Sequence, residues 1–251
     1  MSTIPASSSL PPPGRAAFLL DFDGTLVDIA PTPEAVVVPD GLADTLRALR
    51  ALCGDALALV SGRPIEQIDH FLPGIPFAVS GEHGVATRHA PGAAVEREQL
   101  PPLPPSWIEH CDELIASHAG TRLERKHAGL VLHYRAAPQH GQALRDALQA
   151  MLDGTEGGGF HLHASKMAWE VRPDGVDKGS AVRRLMAAAP FAGRLPVFVG
   201  DDVTDEDGIR AAEALGGTGF RIPDQFPDPT AFRAFLAELA HTGAGAAAWG
   251  G

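Results

Sequence analysis

The stretch "FLLDFDGTLVD", Phe18 to Asp28, decides the fold. With the two alanines before it, it opens as an unbroken apolar run, Ala16 to Leu20. Such a run is the pattern of a strand buried on both faces of a parallel sheet. Two carboxylates, Asp21 and Asp23, then follow one residue apart. Charge at the end of a buried strand is costly unless something uses it. In an open parallel sheet, ligands bind beyond the carboxyl ends of the strands, so both acids stand where a site belongs.

The same grammar continues outward. "PDGLADTLRALRALCGD" sets Leu42, Leu46, Leu49 and Leu52 at helical spacing, with Gly54 in the place of a helix-stopping glycine. "ALALV" (Ala56 to Val60) is a second apolar strand ending in "SGRP", "IEQIDHFL" a short helix, and "PFAVSGEHG" a third strand entering a glycine-bounded loop. Later come a helix ("DKGSAVRRLMAAA"), a strand ending in acids ("LPVFVGDD"), a helix with a glycine stop ("EDGIRAAEALGG"), a short strand ("TGFRI") and an amphipathic helix ("DPTAFRAFLAELAHT"). Strands alternating with helices predict an α/β fold with a doubly wound, Rossmann-like parallel-sheet core.

The middle breaks the rhythm. "LPPLPPSW" (Leu100 to Trp107) reads as a stiff proline linker. A helix (Ile108 to His118), a strand pair around "TRLERKHAGLVLHYR", a helix ("GQALRDALQAML") and a strand ("MAWEVRP") follow, an α+β pattern. The expected organisation is a smaller α+β cap domain over 100–172, inserted in a core of 16–99 and 173–243. The Pro/Ser-rich residues 1–15 read as a disordered tail and 244–251 as a flexible end.

The chain has 251 residues, 31 acidic against 20 basic, a formal charge of -11. That balance argues against a nucleic-acid partner. No apolar stretch is long enough to span a bilayer, and "MSTIPASSSLPPPGR" lacks the positive n-region of a signal peptide. The expectation is a cytoplasmic protein without a membrane partner. Cys53 and Cys111 have no metal-type spacing and read as small core residues.

Three further polar groups fall at element ends. Ser61, Gly62 and Arg63 follow the second strand, and Asp201, Asp202 and Asp205 follow "PVFVG". Lys178 opens a helix, where a cation is unfavourable unless an anion is near. Clustered carboxylates suit a hard, oxygen-liganded cation such as Mg²⁺. A hydroxyl, an amine and loop amides suit phosphate oxygens. A carboxylate beside a bound phosphate can attack phosphorus, and a second can move the protons. On the inserted segment, Glu124 and Lys126 share a strand face, and Glu170 lies on the polar, open side of "MAWEVRP"; by themselves they read as a solvated strand face or as a face offering partners to hydroxyls. His161 and His163 also share a strand face; without a third ligand they read as surface histidines. His83, in "GEHG", lies near the predicted rim.

"DFDGTL", "VSGR", "DKG" and "GDDVTDED", in that order, resemble the four motifs of the haloacid dehalogenase superfamily of phosphohydrolases, and the insert resembles its C2-type cap. The resemblance implies Asp21 as nucleophile, Asp23 as general acid/base, and Ser61 with Gly62 and Lys178 as phosphate binders. It implies Asp21, the main-chain carbonyl of Asp23, and Asp201 as Mg²⁺ ligands, with Asp205 in support. An aspartate at position 23, where superfamily ATPases carry threonine, favours a phosphatase or phosphomutase. "GEHG", "ERK", "GLVLHYR", "WEVRPDGVDKGSA" and the form of the last motif resemble trehalose-6-phosphate phosphatases from Phe18 to Ile222. That implies a sugar phosphate as substrate, sugar hydroxyls held by Glu124, Lys126 and Glu170, and a functional link to a trehalose-phosphate synthase. A sucrose-phosphate or mannosylglycerate-type phosphatase, a sugar phosphomutase and an inactive sugar-phosphate sensor are the alternatives.

Overall fold

The structure is a computed structural model that describes residues 10–126, 129–154, 158–165 and 167–247, the side chains of 243–247 excepted. It divides into two units. One runs up to Arg97 and resumes at Asp177; the other is Glu98–Val176, against the 100–172 read from sequence.

The first unit is built on β1 (Ala16–Leu20), every residue of which is buried. The chain leaves it through α1 (Leu42–Leu52), β2 (Leu57–Val60), α2 (Ile65–Phe71) and β3 (Ala78–Gly81), then β4 (Ala86–Arg88) and β5 (Glu96–Arg97). The second unit supplies α3 (Pro105–Ser117), β6 (Arg122–Arg125), β7 (Leu130–His133), α4 (Gly141–Leu152), β8 (Phe160–Ser165) and β9 (Ala168–Pro173). The first unit resumes with α5 (Lys178–Met186), β10 (Leu195–Gly200), α6 (Asp205–Ala214), β11 (Thr218–Arg221) and α7 (Pro229–Ala247).

The strand order is β11-β10-β1-β2-β3-β4-β5, parallel from β11 to β3 and antiparallel beyond it. β1 lies between β10 and β2, so the chain travels one way from β1 through α1 and the other way from β10 through α6. With right-handed crossovers, opposite travel places α1 and α6 on opposite faces. α1 packs on α7 and α6 on α5, giving two helix layers. The carboxyl end of β1, where Asp21 follows, is therefore the switch point of the sheet.

The second unit has its own antiparallel sheet, β6-β7-β9-β8. Its own core gathers Trp107, Cys111, Leu130, Leu132, Leu144, Leu148 and Val171. Cys53 and Cys111 are free and buried, and burial pushes both thiols up to about 11.

Several expectations change. The last three residues of the eight-residue proline linker are helical: Pro104 stands at the N-cap position of α3 and Pro105 is its first residue, a position where the missing N–H is not needed. Residues 10–15 are not a loose tail. Leu10 is buried in the core, Pro13–Arg15 form a 3-10 turn, and Arg194 donates to the Gly14 carbonyl at 2.9 Å. Residues 1–9 lie outside the described residues. α7 continues to Ala247, into the expected flexible end, and 248–251 lie outside the description. The hairpin β4–β5 extends the larger sheet beyond the elements read from sequence, and β8, the strand of His161 and His163, completes the smaller one. Among the described residues no helix is long and apolar enough to cross a membrane.

Candidate active site

Asp21 leaves β1 with its amide bonded to the Val199 carbonyl of β10, and its side chain is almost fully buried. Lys178 comes from the first turn of α5, where Asp177 and Ser180 form a capping box that fixes the helix start. Its ammonium donates to Asp21 Oδ1 at 2.7 Å and to Asp205 Oδ1 at 2.6 Å. The Thr25 hydroxyl donates to Asp21 Oδ2 at 3.4 Å. Asp205, at the start of α6, accepts from the amides of Asp201 and Asp202 with its other oxygen, at 3.1 and 2.9 Å. Asp201 packs where a side chain at position 24 would be. A Cβ on Gly24, whose φ is +76°, would lie 2.2 Å from Asp201 Oδ2. The glycine of "DFDGT" thus serves both the left-handed turn and the approach of a third acid.

One ligand oxygen from each of Asp21, Asp201 and Asp205 lies within 4.8 Å of the others, the one such grouping of potential metal ligands among the described residues. Lys178 bridges two of these carboxylates, Asp21 and Asp205, and Asp201 brings a third to the same place. Burial, with repulsion from Asp205 and Asp201, holds the Asp21 carboxyl well above the ordinary 3.8 despite Lys178. For Lys178, burial works against its charge, but Asp21 and Asp205 outweigh it and raise its pKa. An oxygen-lined, carboxylate-rich pocket fits a hard divalent cation, whose charge would lower the Asp21 carboxyl again.

Asp23 does not face this cluster's ammonium. Arg63 grips it through two parallel bonds, Nε to Oδ2 at 2.6 Å and Nη2 to Oδ1 at 2.7 Å. Ser61 is buried, and its hydroxyl accepts from the Arg63 amide at 3.1 Å, which closes a tight turn. Gly62 has no side chain because the His83 ring occupies that space: a Cβ would lie 2.5 Å from His83 Nε2. Glu82 and His83 both adopt left-handed backbone, φ 52° and 57°, a strained pair for residues other than glycine.

In the second unit Lys126 pairs with Glu170 at 2.8 Å, while Glu124 pairs with His133 at 2.7 Å, and that bond is the main cause of its lowered pKa. The registers Glu124–Val131–Glu170 place both acids on one face. This face is not open at Glu170 and Arg172, which are 5% and 6% exposed. Lys126 and Arg172 flank Glu170, charge on charge. His161 bonds Asp174, and among the described residues neither it nor His163 belongs to a group of three ligands.

A family model described as trehalose-phosphatase matches residues 19–225. The chain belongs to the trehalose-phosphatase family. A trehalose-6-phosphate phosphatase of Escherichia coli K12 is 36% identical over 83% of this chain and 77% of its own length. A bifunctional trehalose-6-phosphate synthase/phosphatase of Thermoproteus tenax is 35% identical over 76% of this chain and 26% of its own. The solved structure of the trehalose-6-phosphate phosphatase of Aspergillus fumigatus is 26% identical, with a TM-score of 0.69 over 96% of this chain and all of the other.

For this trehalose-phosphatase family member the structure brings Asp21, Lys178, Asp201 and Asp205 into one cluster, with Asp23 on the same loop. Ser61 and Gly62 stand beside Arg63, which holds Asp23. Glu124, Lys126 and Glu170 lie together on the sheet of the other unit. Sequence reasoning missed Thr25 on Asp21, Gly24 under Asp201 and the bond from Arg63 to Asp23. Thr25 and Gly24 were visible in "DGT", and Arg63 in "SGR", but their partners are distant in sequence or set by a turn.

Proposed function

We propose that the chain is a Mg²⁺-dependent phosphatase that hydrolyses trehalose 6-phosphate to trehalose and inorganic phosphate. The observation that carries this is the buried Asp21–Lys178–Asp205 arrangement with Asp201 beside it, in a chain whose E. coli relative is named for that activity. Asp21 is the nucleophile: its carboxylate forms a bond to phosphorus while the bond from phosphorus to the sugar oxygen breaks. Asp23 gives that oxygen its proton. Asp23 then takes a proton from water, whose oxygen attacks the aspartyl phosphate and frees Asp21 and phosphate. Ser61, Gly62 and Lys178 bind phosphate oxygens. Asp21, Asp201 and the main-chain carbonyl of Asp23 would hold Mg²⁺, with Asp205 in support. When bound, the ion supplies positive charge against the charge gathered on the transferring group. The buried Lys178 remains cationic and adds to that charge.

The insert 98–176 is the sugar-recognising cap, with Glu124, Lys126 and Glu170 taking hydroxyls. For Lys126 and Glu170 this means exchanging part of their mutual pairing for the sugar. The fused synthase of the Thermoproteus relative supports a functional link to the enzyme that makes the phosphorylated disaccharide. The cytoplasm is the expected location.

The test is phosphate release by the purified chain from trehalose 6-phosphate beside glucose 6-phosphate and sucrose 6-phosphate. The trehalose ester should be preferred, Asp21→Asn should lose turnover by about 10³-fold or more, and EDTA should silence the enzyme until Mg²⁺ is restored. Isomerised sugar phosphate in place of free phosphate would make it a mutase, and turnover insensitive to chelation would remove the metal.

A further inference from the structure

We propose that Arg63 is the positioning residue of Asp23, held in a preformed socket so that the carboxylate has a single orientation. The inference rests on the reading of Asp23 as the group that moves protons.

All three guanidinium nitrogens are engaged. Nε and Nη2 bond the two oxygens of Asp23, and Nη1 bonds the Pro33 carbonyl and Gln67 Oε1, both at 3.0 Å. The guanidinium also lies over two rings, 5.6 Å from the centre of Phe22 and 5.2 Å from that of Phe71. Those rings stack on each other at 5.6 Å. Gln67 and Phe71 are four residues apart on α2, so one helical face presents both to Arg63. Phe22 sits between the two aspartates, and Pro33 belongs to the loop that follows them. The arginine side chain is 9% exposed, whereas that of Asp23 is 36% exposed.

This geometry does more than tie two loops together. A single tie needs one bond, and a lysine could make it. Here a planar fork meets both oxygens of a carboxylate and thereby sets its plane as well as its position. The fork itself cannot turn, because its remaining nitrogen and its faces are occupied by α2 and the loop after β1. A side chain that must hand a proton to a leaving oxygen as the carboxylic acid in one half-reaction, and accept one from water as the carboxylate in the next, needs that reproducible orientation. The partly exposed Asp23 would otherwise sample several rotamers.

The experiment separates positioning from mere scaffolding by the leaving group. A sugar oxygen needs a proton to depart; p-nitrophenolate does not. Single-turnover release of trehalose from trehalose 6-phosphate and of p-nitrophenolate from p-nitrophenyl phosphate is measured for the wild type, Arg63→Met, Arg63→Lys, Gln67→Leu and Asp23→Asn. In Arg63→Met sugar release should slow by about 10²-fold while p-nitrophenolate release stays within roughly threefold. KM for the sugar ester should change little. Arg63→Lys should recover little of the loss, and Gln67→Leu should show the same split at a few-fold scale. The ratio of the two rates does not depend on the folded fraction, so partial unfolding of one variant leaves the comparison intact. Equal slowing of both leaving groups, or unchanged sugar release, would overturn the inference. If Asp23→Asn shows the split and the Arg63 variants do not, the positioning role alone fails. If Asp23→Asn shows none, the acid role and the inference fall together. A wild type that releases no trehalose refutes the proposed function itself.

Discussion

Asp21 is the residue at which the proposed catalytic role and stability oppose each other. Its carboxyl is held above 3.8 in the folded chain because burial and two neighbouring acids disfavour its charge. The folded form therefore keeps a proton that the unfolded form releases. The corresponding stability is present below about pH 4 and is lost as pH rises through the raised native value. Without metal, burial and the two neighbouring acids make the charged form of this carboxylate unfavourable. Asp21→Asn removes it, and Lys178 keeps Asp205 as partner. In EDTA at neutral pH, Asp21→Asn should be about 1–2 kcal/mol more stable than the wild type, read by thermal or urea unfolding. The gap should close below about pH 4 and shrink on adding Mg²⁺, which stabilises only a form that binds it. A less stable Asp21→Asn in EDTA would show that the Lys178 pairing outweighs the burial and repulsion. The identities of Asp21, Lys178 and Asp201 as polar groups at element ends are legible in the sequence, since each interrupts an apolar pattern. The partner of Asp23 is not, because Arg63 lies forty residues away and its fork could have met any acid on the rim.

At the scale of elements, the turn after β1 is where backbone geometry and site geometry coincide. Gly24 has a left-handed φ, and its missing Cβ is filled by the carboxylate of Asp201. Gly24→Ala should cost about 1–3 kcal/mol in backbone strain and displace Asp201. The expected result is retained fold by circular dichroism with Mg²⁺ affinity reduced by about tenfold or more in calorimetric titration. Unaltered Mg²⁺ binding would mean that Asp201 is not a ligand. Strands and long helices with apolar periodicity were readable, because β1, β2 and β10 are buried on both faces and α1 and α4 bury one. The short pieces were not. β4 and β5 have three and two residues, too few to show alternation; β4 exists through pairing with β3, and β5 through pairing with β4. The start of α3 was hidden because proline reads as a breaker, although at a first helical position it costs nothing.

At the scale of the molecule, two separate apolar clusters mean two cores. Leu132→Ala, in the buried middle strand β7, should destabilise the inserted unit by about 2–5 kcal/mol. Hydrogen exchange should then speed up in β6 to β9 with protection in β1, β2 and β10 unchanged. Equal loss of protection in both sets of strands would show one cooperative unit. The break between the units was visible as a change of grammar, from alternating strands and helices to an α+β pattern around "LPPLPPSW". Its edges were displaced by a few residues, because a change in pattern does not mark where contacts cease.

By itself the sequence determined the alternation that makes the parallel core, the insertion that interrupts it, and the acids and lysine at element ends. These are local: apolar period, charge and chain order are written in neighbouring residues. Only the tertiary structure decided which group each of them meets. Lys178 bridges Asp21 and Asp205, Arg63 takes both oxygens of Asp23, Lys126 closes on Glu170, and Leu10 joins the core. Such pairings depend on how strands order and helices pack, and on side-chain reach of a few ångströms, quantities to which no short window of sequence gives access.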